Sequence, residues 1–182
     1  MRTLCLTCLF VAAAAIGAAA QTPTTVAPAA TVSGVTVINA GTYTGASRSA
    51  PAQAGQLSPT RTVGTLDDWH FVSDSTDVDG KAGTQFGIEF RVDGAPEGDN
   101  VTVYLTLTFP PQGIRNPNTG ETLHKTTIAF PNAKIGARCL IGYGFDSAWE
   151  IVPGQWSLQV WYQNRMLAER IFTVSKPEGI AE

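Results

Sequence analysis

The sequence predicts an all-β protein, an immunoglobulin-like antiparallel β-sandwich of about seven to eight strands. Short runs rich in β-branched and aromatic residues recur along the chain between turn residues, and no segment shows a helical period. In residues 84–94 and 100–110, apolar side chains alternate with polar residues or glycine, which is typical of a strand with one face on a core. Several such strands in succession indicate two packed antiparallel sheets rather than a helical or α/β fold.

Each predicted strand is an alternating or β-branched run that ends near Gly, Pro, Asn or Asp. We expect the alternate apolar residues of these strands to form the core. In chain order the strands cover residues 34–43 (GVTVINAGTY), 63–74 (VGTLDDWHFVSD), 84–94 (TQFGIEFRVDG), 100–110 (NVTVYLTLTFP), 125–131 (KTTIAFP), 138–146 (RCLIGYGFD), 155–162 (QWSLQVWY) and 166–174 (MLAERIFTV).

The last two predicted strands form a hairpin whose register follows from the alternation. A two-residue loop would place Glu169 opposite Val160, among apolar side chains. A three-residue loop instead pairs Val160 with Ala168 and Trp156 with Phe172, which keeps one face apolar. A shift of one residue turns every side chain of a strand over, so we predict the second register.

This register has three local consequences. Asn164 is expected to adopt the left-handed conformation that such a loop often requires. Arg170 falls on the inner face, where we expect it to pair with an acid such as Glu150. Trp161 projects from the outer face, opposite Leu167.

The order of segments predicts an exported chain with one folded domain. Residues 1–20 have one basic residue, an apolar run and three final alanines, the layout of a cleaved secretory signal peptide. Residues 21–31 are predicted to be a flexible lead-in, 32–176 the β-sandwich with a mobile loop at 44–62, and 177–182 a C-terminal tail. We expect a periplasmic or secreted protein with no membrane span after cleavage.

Composition excludes several classes of protein. Cleavage would leave Cys139 as the single cysteine, so no internal disulfide is expected, and its apolar neighbours predict a buried, inert thiol. The 12 basic residues become 11 without Arg2 and, against 15 acids, give a net charge of −4. Because basic runs are absent, nucleic acid is not an expected partner.

Two groups of residues raise the alternative of a hydrolase or metal-dependent enzyme. His70 lies two residues after Asp68, so in a strand the two share a face and could form an acid–base pair. Asp77 and Asp79 lie in a turn that could wrap a cation, but Phe86 stands where a calcium loop has its bidentate Glu. We expect ordinary solvated residues here, with no catalytic residue, metal or cofactor.

The segment 109–125 is the first candidate for partner binding. It is long for a sandwich connection and rich in Pro, Gly and Asn, and binding sites concentrate in such loops. Its candidate contact residues are Arg115, Asn116 and Asn118.

The outer face around Trp161 and Leu167 is the second candidate for partner binding. Trp161 faces away from the predicted core, and an exposed strip of aromatic and aliphatic side chains can contact a partner. The alternative is that the loop 44–62 or the lead-in covers it. The expected partner is an envelope protein or a glycan.

An ordered set of motifs resembles the bacterial domain-of-unknown-function family 3859. The set is VTVINAGTYTG, GTQFGIEFRVDGAPEGDNVTV, FPPQGIRNPNTGE and EIVPGQWSLQVWYQNRMLAERIFTV, spread over residues 35–174. Its most specific parts are Phe86-Gly87 and a closing P-G-x-W hairpin with a terminal F-x-V, Phe172 and Val174. The resemblance implies an exported bacterial β-sandwich and assigns no functional residues. The leading hypothesis is therefore a non-enzymatic binding or structural module of the cell envelope.

Overall fold

The computed structural model describes residues 29–51 and 62–175. The predicted signal peptide, 1–20, the predicted tail, 177–182, and residues 21–28 of the predicted lead-in lie outside the described residues. Among those that are described, no helix is long and apolar enough to cross a membrane.

The described parts of the chain form eleven strands and one short 3₁₀ helix, Ala148–Glu150. The eight long strands match the eight predicted runs, with ends that differ by a few residues except in the first. In chain order the strands are β1 (Thr31–Pro51), β2 (Thr62–Ser73), β3 (Asp77–Val78), β4 (Gln85–Ala95), β5 (Asn100–Thr108), β6 (Ile114–Arg115), β7 (Thr122–Leu123), β8 (Lys125–Lys134), β9 (Arg138–Gly144), β10 (Gly154–Tyr162) and β11 (Arg165–Val174).

Two sheets pack face to face, which confirms the predicted immunoglobulin-like sandwich. Sheet A has four strands in the order β2-β1-β4-β9, and sheet B has five in the order β3-β11-β10-β5-β8. The pairings are antiparallel except for the short parallel contact of β3 with β11. Strands β6 and β7 form a separate small hairpin.

The core forms where aromatic rings from the two sheets meet. Phe86 of β4 is fully buried, and its ring centroid lies 5.6 Å from that of Trp156 and 5.2 Å from that of Phe172. The indole N–H of Trp156 donates to the carbonyl of Val152 at 2.9 Å, so its polar atom is satisfied inside the core. Trp156 is therefore a packing residue, as the alternation predicts.

The β10–β11 hairpin has the predicted register over most of its length. Val160 pairs with Ala168, and Gln159 pairs with Glu169 on the opposite face. Glu169 is thus kept away from the core, which was the reason for choosing this register.

The turn of this hairpin differs from the predicted three-residue loop. Tyr162 pairs with Arg165, and Trp161 with Met166, so the turn has two residues. The pairing then shifts at Leu167, where a β-bulge supplies the extra residue. A two-residue turn plus one bulged residue leaves three residues unpaired, as a three-residue loop does. The apolar side chains therefore stay on the same face. The predicted pairing of Trp161 with Leu167 is wrong for this reason.

Two further details of the predicted hairpin are wrong. The left-handed residue is Gln163, with φ of 47°, and not Asn164. Arg170 is exposed, and its guanidinium donates to the carbonyl of Glu169 at 2.8 Å instead of pairing with Glu150. Its position near the sheet margin lets the long side chain reach solvent.

Strands β1 and β2 extend into the predicted loop 44–62. Their ladder continues from Thr44 opposite His70 to Pro51 opposite Thr62, and the residues between Pro51 and Thr62 lie outside the described parts. The prediction of a loop is therefore corrected over the paired residues. The sequence of residues 44–51, TGASRSAP, lacks the apolar alternation on which the strand predictions rest, and backbone pairing does not require that alternation.

Candidate binding surface

The segment 109–125 folds into the β6–β7 hairpin rather than an open loop. Ile114 is fully buried and anchors the hairpin to the core. The side-chain oxygen of Asn116 accepts the backbone N–H of Asn118 at 2.8 Å and that of Thr119 at 3.3 Å. Asn116 is itself buried, so it holds the turn and is removed from the candidate contact residues.

The predicted contact residues Arg115 and Asn118 are exposed on this hairpin. The base of the segment is fixed by two bonds. The N–H of Phe109 donates to the carbonyl of His124 at 2.9 Å, and the amide of Gln112 donates to the carbonyl of Pro153 at 2.9 Å. Arg115 and Asn118 are therefore presented by an ordered support.

Trp161 is the centre of a row of large side chains on the outer face of sheet B, which we call the aromatic strip. Its cross-strand neighbours are Tyr104 of β5 and Met166 of β11, whose side chains are 43% and 44% exposed. Trp161 itself is half-buried. The strip consists of Tyr104, Trp161 and Met166, while the predicted contact Leu167 lies half-buried at the bulge.

A polar row beside the aromatic strip fixes the orientation of the indole. The N–H of Trp161 donates to the side-chain oxygen of Gln159 at 2.9 Å. The amide of Gln159 donates to Glu169 at 2.7 Å, and the Ser157 hydroxyl donates to the same carboxylate oxygen at 2.6 Å. The hydrogen bonds from Ser157 and Gln159 lower the pKa of Glu169. The indole is therefore positioned by a hydrogen-bonded network anchored on a carboxylate.

An open cleft of about 360 Å³ lies at the end of the aromatic strip, where β10 and β5 separate. The last residues of β10 and β5 that pair with each other are Trp161 and Tyr104, and beyond them β10 pairs with β11 alone. The cleft is lined by Ala30, Asn100, Val101, Thr102, Tyr104, Tyr162 and Gln163.

The residues behind the enzyme alternative form one exposed pair. The imidazole of His70 lies 3.4 Å from the carboxylate of Asp68, and both side chains are more than three-quarters exposed. Asp77 and Asp79 are also exposed, on either side of the buried Val78. In the described parts of the chain, His, Cys, Asp and Glu residues form no group of three or more that could hold a metal ion.

Sequence reasoning missed a buried ionic cluster on the outer face of sheet A. Glu89 is fully buried and accepts hydrogen bonds from Arg138 and from the amide of Asn39, the latter at 2.6 Å. Burial raises the pKa of Glu89, but the hydrogen bonds and the charge of Arg138 outweigh it, so this pKa lies below its ordinary value. The indole N–H of Trp69 is buried without a hydrogen bond of normal geometry.

A second buried carboxylate, Glu150, closes one end of the core. The hydroxyl of Tyr143 donates to one of its oxygens at 2.8 Å, and the other oxygen is buried without a hydrogen bond. Burial raises the pKa of Glu150, nearby Asp146 adds to this effect, and the contributions of Tyr143 and Ser147, which lower the pKa, do not compensate. The sequence signal was weak because Tyr143 and Glu150 lie in different elements.

Cys139 is buried in the core side of β9, as predicted. Burial raises the pKa of its thiol. A thiol that is harder to ionise is a poorer nucleophile, which agrees with a packing role.

The fold and its surface define the chain as an immunoglobulin-like β-sandwich domain. The sequence profile of the family described as "Domain of unknown function (DUF3859)" matches residues 33–174, and the chain belongs to this family. It is similar to an immunoglobulin-like protein of Pseudomonas aeruginosa with a crystal structure, at 31% identity over 58% of this chain and 82% of that chain, with a TM-score of 0.49. No curated protein matches the sequence.

Proposed function

We propose that the chain is an exported, non-enzymatic module of the cell envelope that binds a partner through the outer face of sheet B. The observation that carries this proposal is the aromatic strip. Tyr104 and Met166 are 43% and 44% exposed, Trp161 is half-buried between them, and a hydrogen bond to Gln159 orients its indole. Exposed aromatic and aliphatic side chains held in this way are typical of interaction surfaces.

Export is supported by the layout of residues 1–20, and it can be tested separately from binding. Expression of the full chain in a Gram-negative host, followed by fractionation, should recover a protein that begins at Gln21 outside the cytoplasm. Recovery of the uncleaved chain in the cytoplasm would contradict the export part of the proposal.

Binding can be tested with a photo-crosslinking amino acid at two exposed positions. Met166 lies in the aromatic strip, and Val72, 63% exposed, lies in β2 of the other sheet and serves as the matched control. Irradiation of cells should give a defined adduct from position 166 that position 72 does not give. Equal adduct patterns from both positions would contradict binding through sheet B.

The β6–β7 hairpin is a second contact candidate within the same proposal. Arg115 and Asn118 are exposed on an anchored turn. The same crosslinker at Asn118 should give the adduct seen from Met166 if the hairpin and the strip contact one partner. An adduct from Met166 alone would restrict the surface to sheet B.

A further inference from the structure

We infer that the cleft at the end of the aromatic strip is a binding site for a neutral saccharide, an inference that rests on the proposed binding function and names its ligand class. The cleft lies where β10 and β5 separate, directly beyond the pair formed by Trp161 and Tyr104. Tyr104 belongs to both the strip and the cleft lining. The two features therefore form one continuous surface.

The chemistry of the lining favours a sugar. Tyr104 and Tyr162 supply aromatic rings, whose faces can stack on the C–H face of a pyranose. Asn100 and Gln163 supply amides and Thr102 a hydroxyl, each able to donate to and accept from sugar hydroxyls. A surface that combines aromatic rings with a few polar groups is the usual form of a small-molecule site.

The absence of charge in this lining selects among ligands. Among the described residues that line the cleft, none has an ionised side chain. A carboxylate or phosphate group would find no cationic side chain in this lining, whereas a sugar hydroxyl would find both donors and acceptors. The cleft therefore fits an uncharged polar ligand better than an anionic lipid headgroup or a nucleotide.

The backbone of the β10–β11 turn fixes where Gln163 lies in the cleft lining. Gln163 has φ of 47°, a conformation that costs a residue with a side chain about 1–2 kcal/mol. Glycine at this position would avoid the cost, but it would remove the amide that lines the cleft.

The test measures oligosaccharide binding to the chain from Gln21 onward by isothermal titration calorimetry. The neutral probes are cellohexaose and chitohexaose, and hexagalacturonate is the anionic probe. At least one neutral probe should bind at millimolar concentration or below, and hexagalacturonate should bind more weakly. Tyr104→Ala should weaken binding about tenfold, the loss expected for one aromatic contact. Gln163→Gly should weaken binding while the turn is retained.

Two controls separate binding from folding. Ile38→Ala removes a side chain 43% exposed on sheet A and should leave the affinity unchanged. Thermal unfolding of each variant should show that Tyr104→Ala remains folded and that Gln163→Gly is not destabilised.

The outcomes distinguish this inference from the proposed function. No binding of either neutral probe, or tighter binding of hexagalacturonate, overturns the saccharide inference. Binding that is unaffected by both Tyr104→Ala and Gln163→Gly places the sugar elsewhere and also overturns it. In each case a specific crosslink from Met166 would leave the proposed binding function standing, and its absence would remove that function as well.

Discussion

Glu89 and Glu150 are both fully buried, yet their surroundings shift their pKa values in opposite directions. Glu89 receives hydrogen bonds and charge compensation from Arg138, which stabilise the carboxylate. Burial favours the protonated form of Glu150, because the neutral groups of Tyr143 and Ser147 near it do not offset the loss of water. The difference decides how each residue links stability to pH.

The first prediction concerns Glu89→Gln. The folded-state pKa of Glu89 lies below its ordinary value of 4.5, so its contribution to stability is present above that pH and is lost as the pH falls. The variant should lose about 1–2 kcal/mol of unfolding free energy at neutral pH, since Arg138 is partly solvated and replaces part of the interaction with water. Urea unfolding from pH 7 to 3 should show a shallower acid dependence than in the parent. If the unfolding free energy of the variant fell with pH as steeply as that of the parent, the lowered pKa of Glu89 would be contradicted.

The second prediction concerns Glu150→Gln. The folded-state pKa of Glu150 lies above 4.5, so its favourable contribution is present below that pH and is lost as the pH rises through the folded-state value. In the variant, residue 150 does not ionise, so the stability should not fall in this way as the pH rises. The variant should therefore be at least as stable as the parent at pH 8. Thermal unfolding from pH 4.5 to 8 measures the effect. A variant that weakens relative to the parent as the pH rises would contradict the raised pKa of Glu150.

For single residues, the sequence predicts which side chains are buried better than it predicts which side chains contact each other. The alternation in 155–162 correctly places Trp156 in the core, because burial follows from strand periodicity alone. It did not predict that Glu89 binds Arg138, which is 49 residues further along the chain. That contact depends on β4 and β9 being neighbours in sheet A, and strand order is a property of the whole fold.

At the scale of elements, the β10–β11 hairpin shows what alternation can determine. The core-facing side chains stay on one face only if an odd number of residues between Val160 and Ala168 is unpaired. The structure has three such residues, the two turn residues and the bulged Leu167. A three-residue loop would meet this requirement equally well. Periodicity therefore predicts the parity of the connection, while local backbone energetics decide where the extra residue lies.

A third prediction exchanges the two turn residues. Asn adopts the left-handed region at less cost than Gln, and the structure requires that region at position 163. The double variant Gln163→Asn/Asn164→Gln should raise the unfolding free energy by about 0.5 kcal/mol. Urea unfolding should show a higher midpoint with the same slope. The single variant Asn164→Gln is the control, and a stabilisation of equal size in that variant would contradict the argument.

A fourth prediction concerns Gly87, half of the Phe86-Gly87 motif. A Cβ atom at Gly87 would lie 2.3 Å from the carbonyl oxygen of Ile141 on β9, so the two strands approach too closely for a side chain. Gly87→Ala should cost about 1–3 kcal/mol of unfolding free energy, the usual range for overpacking. Gly34→Ala is the matched control because a Cβ there meets nothing within 4 Å. Equal losses in the two variants would show that glycine content, and not the close approach, matters.

At the scale of the whole molecule, the sandwich was predictable because two packed sheets are what several consecutive half-buried strands must form. The site was not. The cleft collects the residue before β1, residues from the first half of β5, the last residue of β10 and the first residue of the β10–β11 turn, and their proximity depends on sheet order. The predicted contact Trp161 lies beside it, because its cross-strand partner Tyr104 lines the cleft, whereas Leu167 is not part of the lining.

The extended β1–β2 ladder leads to a fifth prediction, on backbone dynamics. Beyond Tyr43, β1 pairs with β2 alone, whereas β4 pairs on both sides, with β1 and β9. A ribbon of two strands is marginal in water by itself, while a central strand opens only with its whole sheet. Amide hydrogen exchange in residues 44–51 should therefore be much faster than in β4.

Strand β5 supplies the internal control for this measurement. It lies between β10 and β8, so its amides should be as protected as those of β4. Slow exchange in residues 44–51, matching β5, would mean that the ribbon is stabilised by contacts beyond its own pairing. Fast exchange there with full protection of β4 and β5 would establish that the stability of the molecule resides in the two sheets around Phe86, and that the ribbon opens without them.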